Sequence, residues 1–228
     1  MRVVIMGGTS GIGLATAEKL TAAGADVVVT GRDPERLAAV GDRAGRAVAV
    51  DGTDAGAVAA FFADLGEFDH LVLAFSSGAI GLSPFKDISP ADLRTAFEGK
   101  LFGYVTAMQH AQVTGSVTMV SAASARAALP TTALLAAVNG AIERMVSPLA
   151  AELAPVRVNA VSPGVVDTAW WSFLPDGARD EQFAAFGADL PVGRVGRADE
   201  VADAIVYLIN AGFVTSTVLS IDGGATVA

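Results

Sequence analysis

The chain has 228 residues, no cysteine, two histidines, and 24 acidic against 15 basic side chains, for a formal net charge of −9. That balance argues against a nucleic-acid partner, which would need a basic face to neutralise phosphates and release counterions. Without thiols, and with only His70 and His110, disulfides, thiolate chemistry and an ordinary zinc set drop out, so no metal is expected.

One α/β domain over residues 1–228 is expected, since no stretch reads as a linker, a repeat or a low-complexity tract. The uncharged run from Ala127 to Ile142 contains Pro130, Asn139 and Gly140. It falls short of the ~20 apolar residues that span a bilayer, so a soluble chain with no membrane partner is expected. The first residues enter a strand directly, without a basic-plus-apolar leader, which makes the cytoplasm the expected location.

Val3 to Met6 predicts a buried strand, and Gly7-Gly8-Thr9-Ser10-Gly11-Ile12-Gly13 leads from it into a helix carrying Leu14, Ala17 and Leu20. Glycine suits a turn with positive φ or a close approach of backbone to ligand. A helix opening there aims free N–H groups and its positive dipole end at an anion, here the pyrophosphate of a dinucleotide. On this stretch alone a close-packed turn without ligand stays open.

Gly24 reads as the end of the first helix, and Asp26 to Thr30 as a second strand. Ala47 to Val50 predicts a third; Val58, Phe61, Phe62 and Leu65 recur at helical spacing before a fourth, Leu71 to Phe75. Ser89-Pro90-Ala91-Asp92 looks like a capped helix start leading to about Ala111. Then follow a strand from Val117 to Val120, a helix from about Thr131 to Leu153 and a strand from Val156 to Val161. A long loop, a helix from about Asp199 to Ala211 and a strand from Val218 to Ile221 complete the chain. The pattern predicts a doubly wound Rossmann fold: about seven parallel strands, helices on both faces, and ligands beyond the carboxyl ends of the strands.

The glycine turn (Gly7, Gly11, Gly13), Asp51-Gly52-Thr53-Asp54, Arg157-Val158-Asn159-Ala160-Val161-Ser162-Pro163-Gly164 and Asp222-Gly223-Gly224 follow one another in an order that resembles the short-chain dehydrogenase/reductase family over essentially the whole length. The resemblance implies a nicotinamide dinucleotide cofactor. Gly7, Thr9, Ser10, Gly11, Ile12 and Gly13 would hold its pyrophosphate, with Asp51 and Gly52 near the adenine and Ala74 in the floor. Asn139, Pro163, Gly164, Val166 and Thr168 would stand at the nicotinamide end. The second strand ends in Thr30-Gly31-Arg32-Asp33, with no carboxylate at its tip for a ribose diol and with Arg32 in reach of a 2′-phosphate. This favours NADP over NAD, the other reading of Arg32 being a solvated loop residue. A homodimer or homotetramer is also implied, built on the two long apolar helices.

Catalytically the chain departs from the family that it resembles, whose members usually carry Ser on the fifth strand, Tyr-x-x-x-Lys on the next helix and Asn on the preceding one. An ungapped alignment puts Ala122, Leu135, Asn139 and Lys100 at those places, with Ser121 adjacent and Ser124 close by. Residues Ala122 to Glu152 include no tyrosine; the chain has only Tyr104 and Tyr207. The family's Asn-Asn-Ala-Gly is here Leu73-Ala74-Phe75-Ser76, and Phe75 stands where it would crowd the ribose.

Lysine and asparagine thus exchange places, and the candidate catalytic residues are Lys100, Ser121 and Asn139; a solvent-facing Lys100 is the alternative. Tyr104, one turn beyond Lys100, reads as a core or interface residue rather than an acid. Trp170 and Trp171 read either as an apolar lid over substrate or as a contact between subunits. Asp176, Arg179, Asp180 and Glu181 read as a solvated face. The expected function is an NADP(H)-dependent oxidoreductase acting on a small apolar or amphipathic substrate, reducing an imine or a conjugated double bond. The alternatives are a non-redox cyclase, isomerase or dehydratase on the same fold, and a catalytically silent nucleotide-binding scaffold.

Overall fold

The computed structural model describes residues 1–175 and 177–227. Its elements run β1 (Arg2–Met6), α1 (Gly11–Ala22), β2 (Asp26–Gly31), α2 (Pro34–Val40), β3 (Arg46–Ala49), α3 (Ala55–Leu65), β4 (Glu67–Leu73) and α4 (Pro90–Ala96). A π-helical turn (Phe97–Phe102) follows, then α5 (Gly103–His110), β5 (Gln112–Val120), α6 (Ala133–Glu152), β6 (Arg157–Pro163), β7 (Val166–Asp167), α7 (Ala178–Ala188), β8 (Gly196–Arg197), α8 (Ala198–Asn210) and β9 (Val218–Ile221).

Seven strands form one parallel sheet in the order β3-β2-β1-β4-β5-β6-β9. The order reverses between β1 and β4, which opens a crevice beyond their carboxyl ends. Runs such as Val3-Val4-Ile5-Met6 are buried along their whole length because both sheet faces are covered. Phe62 of α3, Tyr104 of α5 and Ile142 of α6 close one face; Leu20 of α1 and Ile205 and Leu208 of α8 close the other. No helix among the described residues is long and apolar enough to cross a membrane.

Two expectations about elements are corrected. The single helix expected from Pro90 to Ala111 starts as anticipated: Ser89 Oγ accepts from Asp92 N at 3.1 Å and Asp92 Oδ2 accepts from Ser89 N at 3.0 Å. It is then interrupted by the π-helical turn. Gly99 and Gly103 explain the interruption, because a Cβ on Gly99 would sit 2.6 Å from Ser77 Cβ and one on Gly103 2.6 Å from the Gly52 carbonyl oxygen. The helix is thus drawn down onto the loops at the ends of β3 and β4, and a widened turn accommodates the approach. The long loop after β6 contains α7, whose apolar positions Phe183, Phe186 and Gly187 are too few to announce a helix. Arg179, Asp180 and Glu181 lie on it, whereas Asp176 falls outside the described residues.

Candidate active site

The glycine turn packs the switch point tightly. Gly7 takes φ +84°, and a Cβ there would come within 2.8 Å of the Ala74 carbonyl and the Phe75 nitrogen; a Cβ on Gly13 would run into the Gly7 carbonyl oxygen. Ala74 N donates to Met6 O at 2.9 Å, so Ala74 is pinned beside the turn. Ser10 is the N-cap of α1 in extended conformation and its side chain makes no capping bond. The first-turn amides of Gly11, Ile12 and Gly13 have no partner in the helix ladder and face the crevice end of α1. Thr9 lies against Gly31, linking the turn to the tip of β2.

At that tip Arg32 is exposed and, among the described residues, within ion-pair distance of no carboxylate. Asp33 is occupied, accepting from Glu35 N at 3.0 Å and Arg36 N at 3.2 Å as the cap of α2. Asp51 accepts from the amide and hydroxyl of Thr53 at 2.9 and 2.8 Å. The Thr53 amide bond holds its carboxyl below the usual range, with Arg32 adding a smaller pull. Phe75 sets its ring over Gly52 and Gly103, edge-on to Tyr104 with centroids 4.9 Å apart. Two glycines thus leave the slot that the ring fills.

The three candidate catalytic residues meet. Lys100, carried on the π-helical turn, is 9% exposed and donates from Nζ to Asn139 Oδ1 at 2.7 Å and to the Ser121 carbonyl at 3.3 Å. Asn139 on α6 donates in turn to Ser124 Oγ at 3.2 Å and to the Leu135 carbonyl at 2.9 Å, which fixes its amide with the oxygen toward Lys100. Burial lowers the Lys100 ammonium from 10.5 to about 7, with the Glu143 carboxylate opposing the shift. Lys100 therefore does not face solvent. Tyr104 is wholly buried, and its hydroxyl donates to Val120 O at 3.2 Å; burial pushes the phenol well above its usual range.

Ser121 is turned the other way. Its hydroxyl donates to Glu143 Oε1 at 2.8 Å, and Ser162 Oγ donates to the same oxygen at 2.7 Å. Arg126 Nε stands 3.2 Å from Glu143 Oε2, and its Nη2 donates to Ser220 Oγ at 3.0 Å, so one carboxylate, 10% exposed, ties together β5, β6, α6 and β9. The Ser121 hydroxyl also lies 3.2 Å from the Val161 carbonyl, so both acceptors in its reach belong to α6 and β6. Sequence reasoning missed Glu143, although it follows Asn139 by four residues and Leu135 by eight and hence shares their helix face. Arg126 and Ser220 carried no sequence signal that would separate them from surface residues, whereas Ser162 stood inside the Arg157–Gly164 motif without a role of its own.

At the far end of the crevice Pro163 ends β6, and Gly164 N donates to Ile221 O at 3.1 Å, where a Cβ would strike Asp222. Val166 is buried and pairs with Gly196 in the two-stranded β7–β8 sheet. Thr168 stands where a Cβ on Gly11 would come within 3.3 Å of it, and its Oγ1 accepts from Trp170 N at 3.3 Å. Trp171 donates from Nε1 to Val166 O at 3.1 Å and packs against Phe183 and Phe186, while Trp170 leans edge-on to Trp171 and Phe173. Arg179 pairs with Asp167 and lies 5.2 Å over the Phe183 ring, fastening α7 above the turn. Among the described residues no group of three or more acidic or histidine side chains is placed to hold a metal.

A family model described as enoyl-(acyl carrier protein) reductase matches residues 7–226. The chain belongs to the short-chain dehydrogenase/reductase family. Its relatives include a cis-4-hydroxycyclohexanecarboxylate dehydrogenase of Sinomonas cyclohexanicum, 34% identical over 98% of this chain and 95% of that one. Among solved structures, a small-chain dehydrogenase in complex with NADPH is 32% identical, with TM-score 0.88, covering 100% of this chain and 99% of the other. A short-chain dehydrogenase/reductase of Serratia marcescens is 27% identical, with TM-score 0.86 and coverage of 99% and 97%. As a short-chain dehydrogenase/reductase, the chain has the expected seven-stranded parallel sheet, with the glycine turn and the Pro163–Thr168 turn meeting where Gly11 approaches Thr168.

Proposed function

We propose that this short-chain dehydrogenase/reductase is an NADP(H)-dependent oxidoreductase that reduces an imine, an iminium or a conjugated double bond in a small apolar or amphipathic molecule. The observation that carries the reading is the 2.7 Å bond from Lys100 on the π-helical turn to Asn139 on α6, the helix where Leu135 stands at the family's tyrosine position. The residues of the crevice suit a dinucleotide: the free first-turn amides of α1 suit a pyrophosphate, and Arg32, unpaired among the described residues, suits a 2′-phosphate. Asp33, which follows Arg32, is engaged in capping α2. Supporting the same choice, one structural relative was solved with NADPH.

A reduced nicotinamide, when bound, supplies hydride. Lys100 supplies the positive charge and the proton. Held at about 7, Nζ is an acid of useful strength near neutral pH, but much of the population there is already the neutral amine. An iminium needs no proton at the moment of hydride arrival, and a conjugated acceptor spreads its charge into an enolate that an ammonium steadies. An isolated ketone develops a localised alkoxide and calls for a full-strength acid, so it ranks last. The matched family model, described as an enoyl reductase, supports the conjugated acceptor. Trp170, with Phe173, supports an apolar ceiling for the substrate. A homodimer or homotetramer is part of the proposal, supported by the exposed Leu93 and Phe102 along α4 and the π-helical turn.

The test is cofactor consumption with a cyclic imine, an enoyl thioester and a simple ketone, alongside melting-temperature shifts with NADPH and NADH at matched excess. The expected result is a larger shift with NADPH, reduced in Arg32→Ala, and turnover of the first two substrates. Ketone turnover near the ~10 s⁻¹ median of enzymes overturns the substrate class. Equal shifts with the two cofactors overturn the choice of NADP.

A further inference from the structure

We propose that Thr131, at the entry to α6, is a substrate-contact residue that selects molecules carrying a second oxygen remote from the reacting bond. Its backbone carries this. Thr131 takes φ +66°, in the left-handed region, and it is β-branched, the kind of side chain that region suits least. Glycine would hold the same turn without a Cβ to crowd the next carbonyl, so the turn accounts for the conformation but not for the residue. Strain of this kind collects at active sites and ligand clamps, where a side chain is put to use.

The turn and the side chain have separate tasks. The Thr131 carbonyl accepts from Ser83 N at 3.0 Å, and Leu134 stands where a Cβ on Gly81 would come within 2.6 Å of it. At its other end the same loop meets the π-helical turn, where a Cβ on Gly99 would sit 2.6 Å from Ser77 Cβ. Residues 77–83 therefore bridge the two elements that carry Lys100 and Asn139. Backbone and packing pin this loop, and neither needs a threonine hydroxyl. Thr131 is exposed, and among the described residues its hydroxyl has no protein partner, whereas the neighbouring Thr132 Oγ1 donates to Leu129 O at 2.8 Å.

Leu135 follows Thr131 by four residues and Asn139 follows it by eight, which sets Asn139 roughly 12 Å farther along the α6 axis at about 1.5 Å per residue. A molecule whose reacting bond lies at Lys100 and whose chain runs past Leu135 brings its far end to Thr131. The class selected is an apolar chain or ring with a hydroxyl or carbonyl oxygen at that end, since a threonine hydroxyl both donates and accepts. Where the substrate lies rests on the reductase reading; the strain does not.

Two variants separate strain from contact: Thr131→Gly relieves the strain and removes the hydroxyl, and Thr131→Val keeps the branching and removes the hydroxyl alone. The full-length proteins are compared in melting temperature. They are also compared with methyl trans-2-hexenoate and its 6-hydroxy derivative, by calorimetry without cofactor and by NADPH consumption. Thr131→Gly is expected to melt about 1–4 °C higher than the native protein, and Thr131→Val within about 1 °C of it. The native protein is expected to bind the hydroxy ester about fivefold more tightly than the plain one, as one hydrogen bond allows, and in both variants the ratio falls toward one. Preferential binding without NADPH consumption supports this proposal while overturning the reductase reading. A Thr131→Gly protein that melts lower than the native one, a native protein that binds neither ester or shows no preference, or a preference kept in Thr131→Val would each overturn the proposal.

Discussion

Replacing Lys100 with methionine separates what the buried nitrogen does for the site from what it costs the fold. A fall from 10.5 to about 7 corresponds to roughly 5 kcal/mol when fully expressed, at about 1.4 kcal/mol per pKa unit. The sign follows from which state takes the proton. Between pH 10.5 and about 7 the unfolded chain binds a proton that the folded chain refuses, so stability is lost as pH falls through that window and stays level below it. From pH 9 to pH 7 the native sequence is therefore expected to lose about 2–3 kcal/mol that K100M retains. Methionine also leaves Asn139 Oδ1 and the Ser121 carbonyl short of a donor, a deficit of about 1–3 kcal/mol that does not vary with pH. The decisive quantity is consequently the change in the difference between the two proteins, measured by urea titration at both pH values. The other titrating groups are common to both proteins and largely cancel in it. A difference that is the same at pH 7 and pH 9 would refute the argument that burial neutralises Lys100.

Further outcomes follow from other parts of the fold. Arg157 donates from Nη1 to Leu208 O at 2.7 Å and from Nη2 to Ile209 O at 2.8 Å, closing the carboxyl end of α8; Arg157→Met is expected to lower urea stability by about 2–3 kcal/mol, and an unchanged midpoint would refute this role. Thr118, fully buried on β5, has a hydroxyl with no partner among the described residues; Thr118→Val is expected to raise the melting temperature by about 2–4 °C, for a gain of about 1 kcal/mol, and a decrease would show that the hydroxyl is in fact bonded. Phe102, 54% exposed on the π-helical turn, belongs to the proposed contact between copies; Phe102→Asp is expected to reduce the mass found by light scattering, and a native protein that is monomeric at micromolar concentration would refute the oligomer.

Much of the fold was legible because the signals are local. The apolar runs of β1, β2 and β4 mark strands covered on both sides, and the Ser89–Asp92 pair marks the start of α4; each depends on neighbours a few residues apart. The exchange of lysine and asparagine between positions 100 and 139 was likewise readable, once the order of motifs aligned the chain with its family. The break in the helix after Ala96 was not, because its cause is the approach of Gly99 to Ser77 and of Gly103 to Gly52, contacts between segments that periodicity does not relate. Helix α7 escaped for another reason: its apolar stripe is short, and it is secured by Trp171 and by the Arg179–Asp167 pair rather than by its own pattern.

The sequence alone determined the class of fold, the place of the glycine turn and the residues available at the catalytic positions, since these depend on spacing and on the conformations each residue allows. Only the tertiary structure decided their chemical state. Lys100, Ser121, Asn139 and Glu143 come together across β5 and α6, and it is the desolvation of that junction that brings Lys100 to about 7. The same closure turns the Ser121 hydroxyl toward Glu143 and away from Lys100. Burial belongs to the packed chain as a whole, and no stretch of sequence carries it.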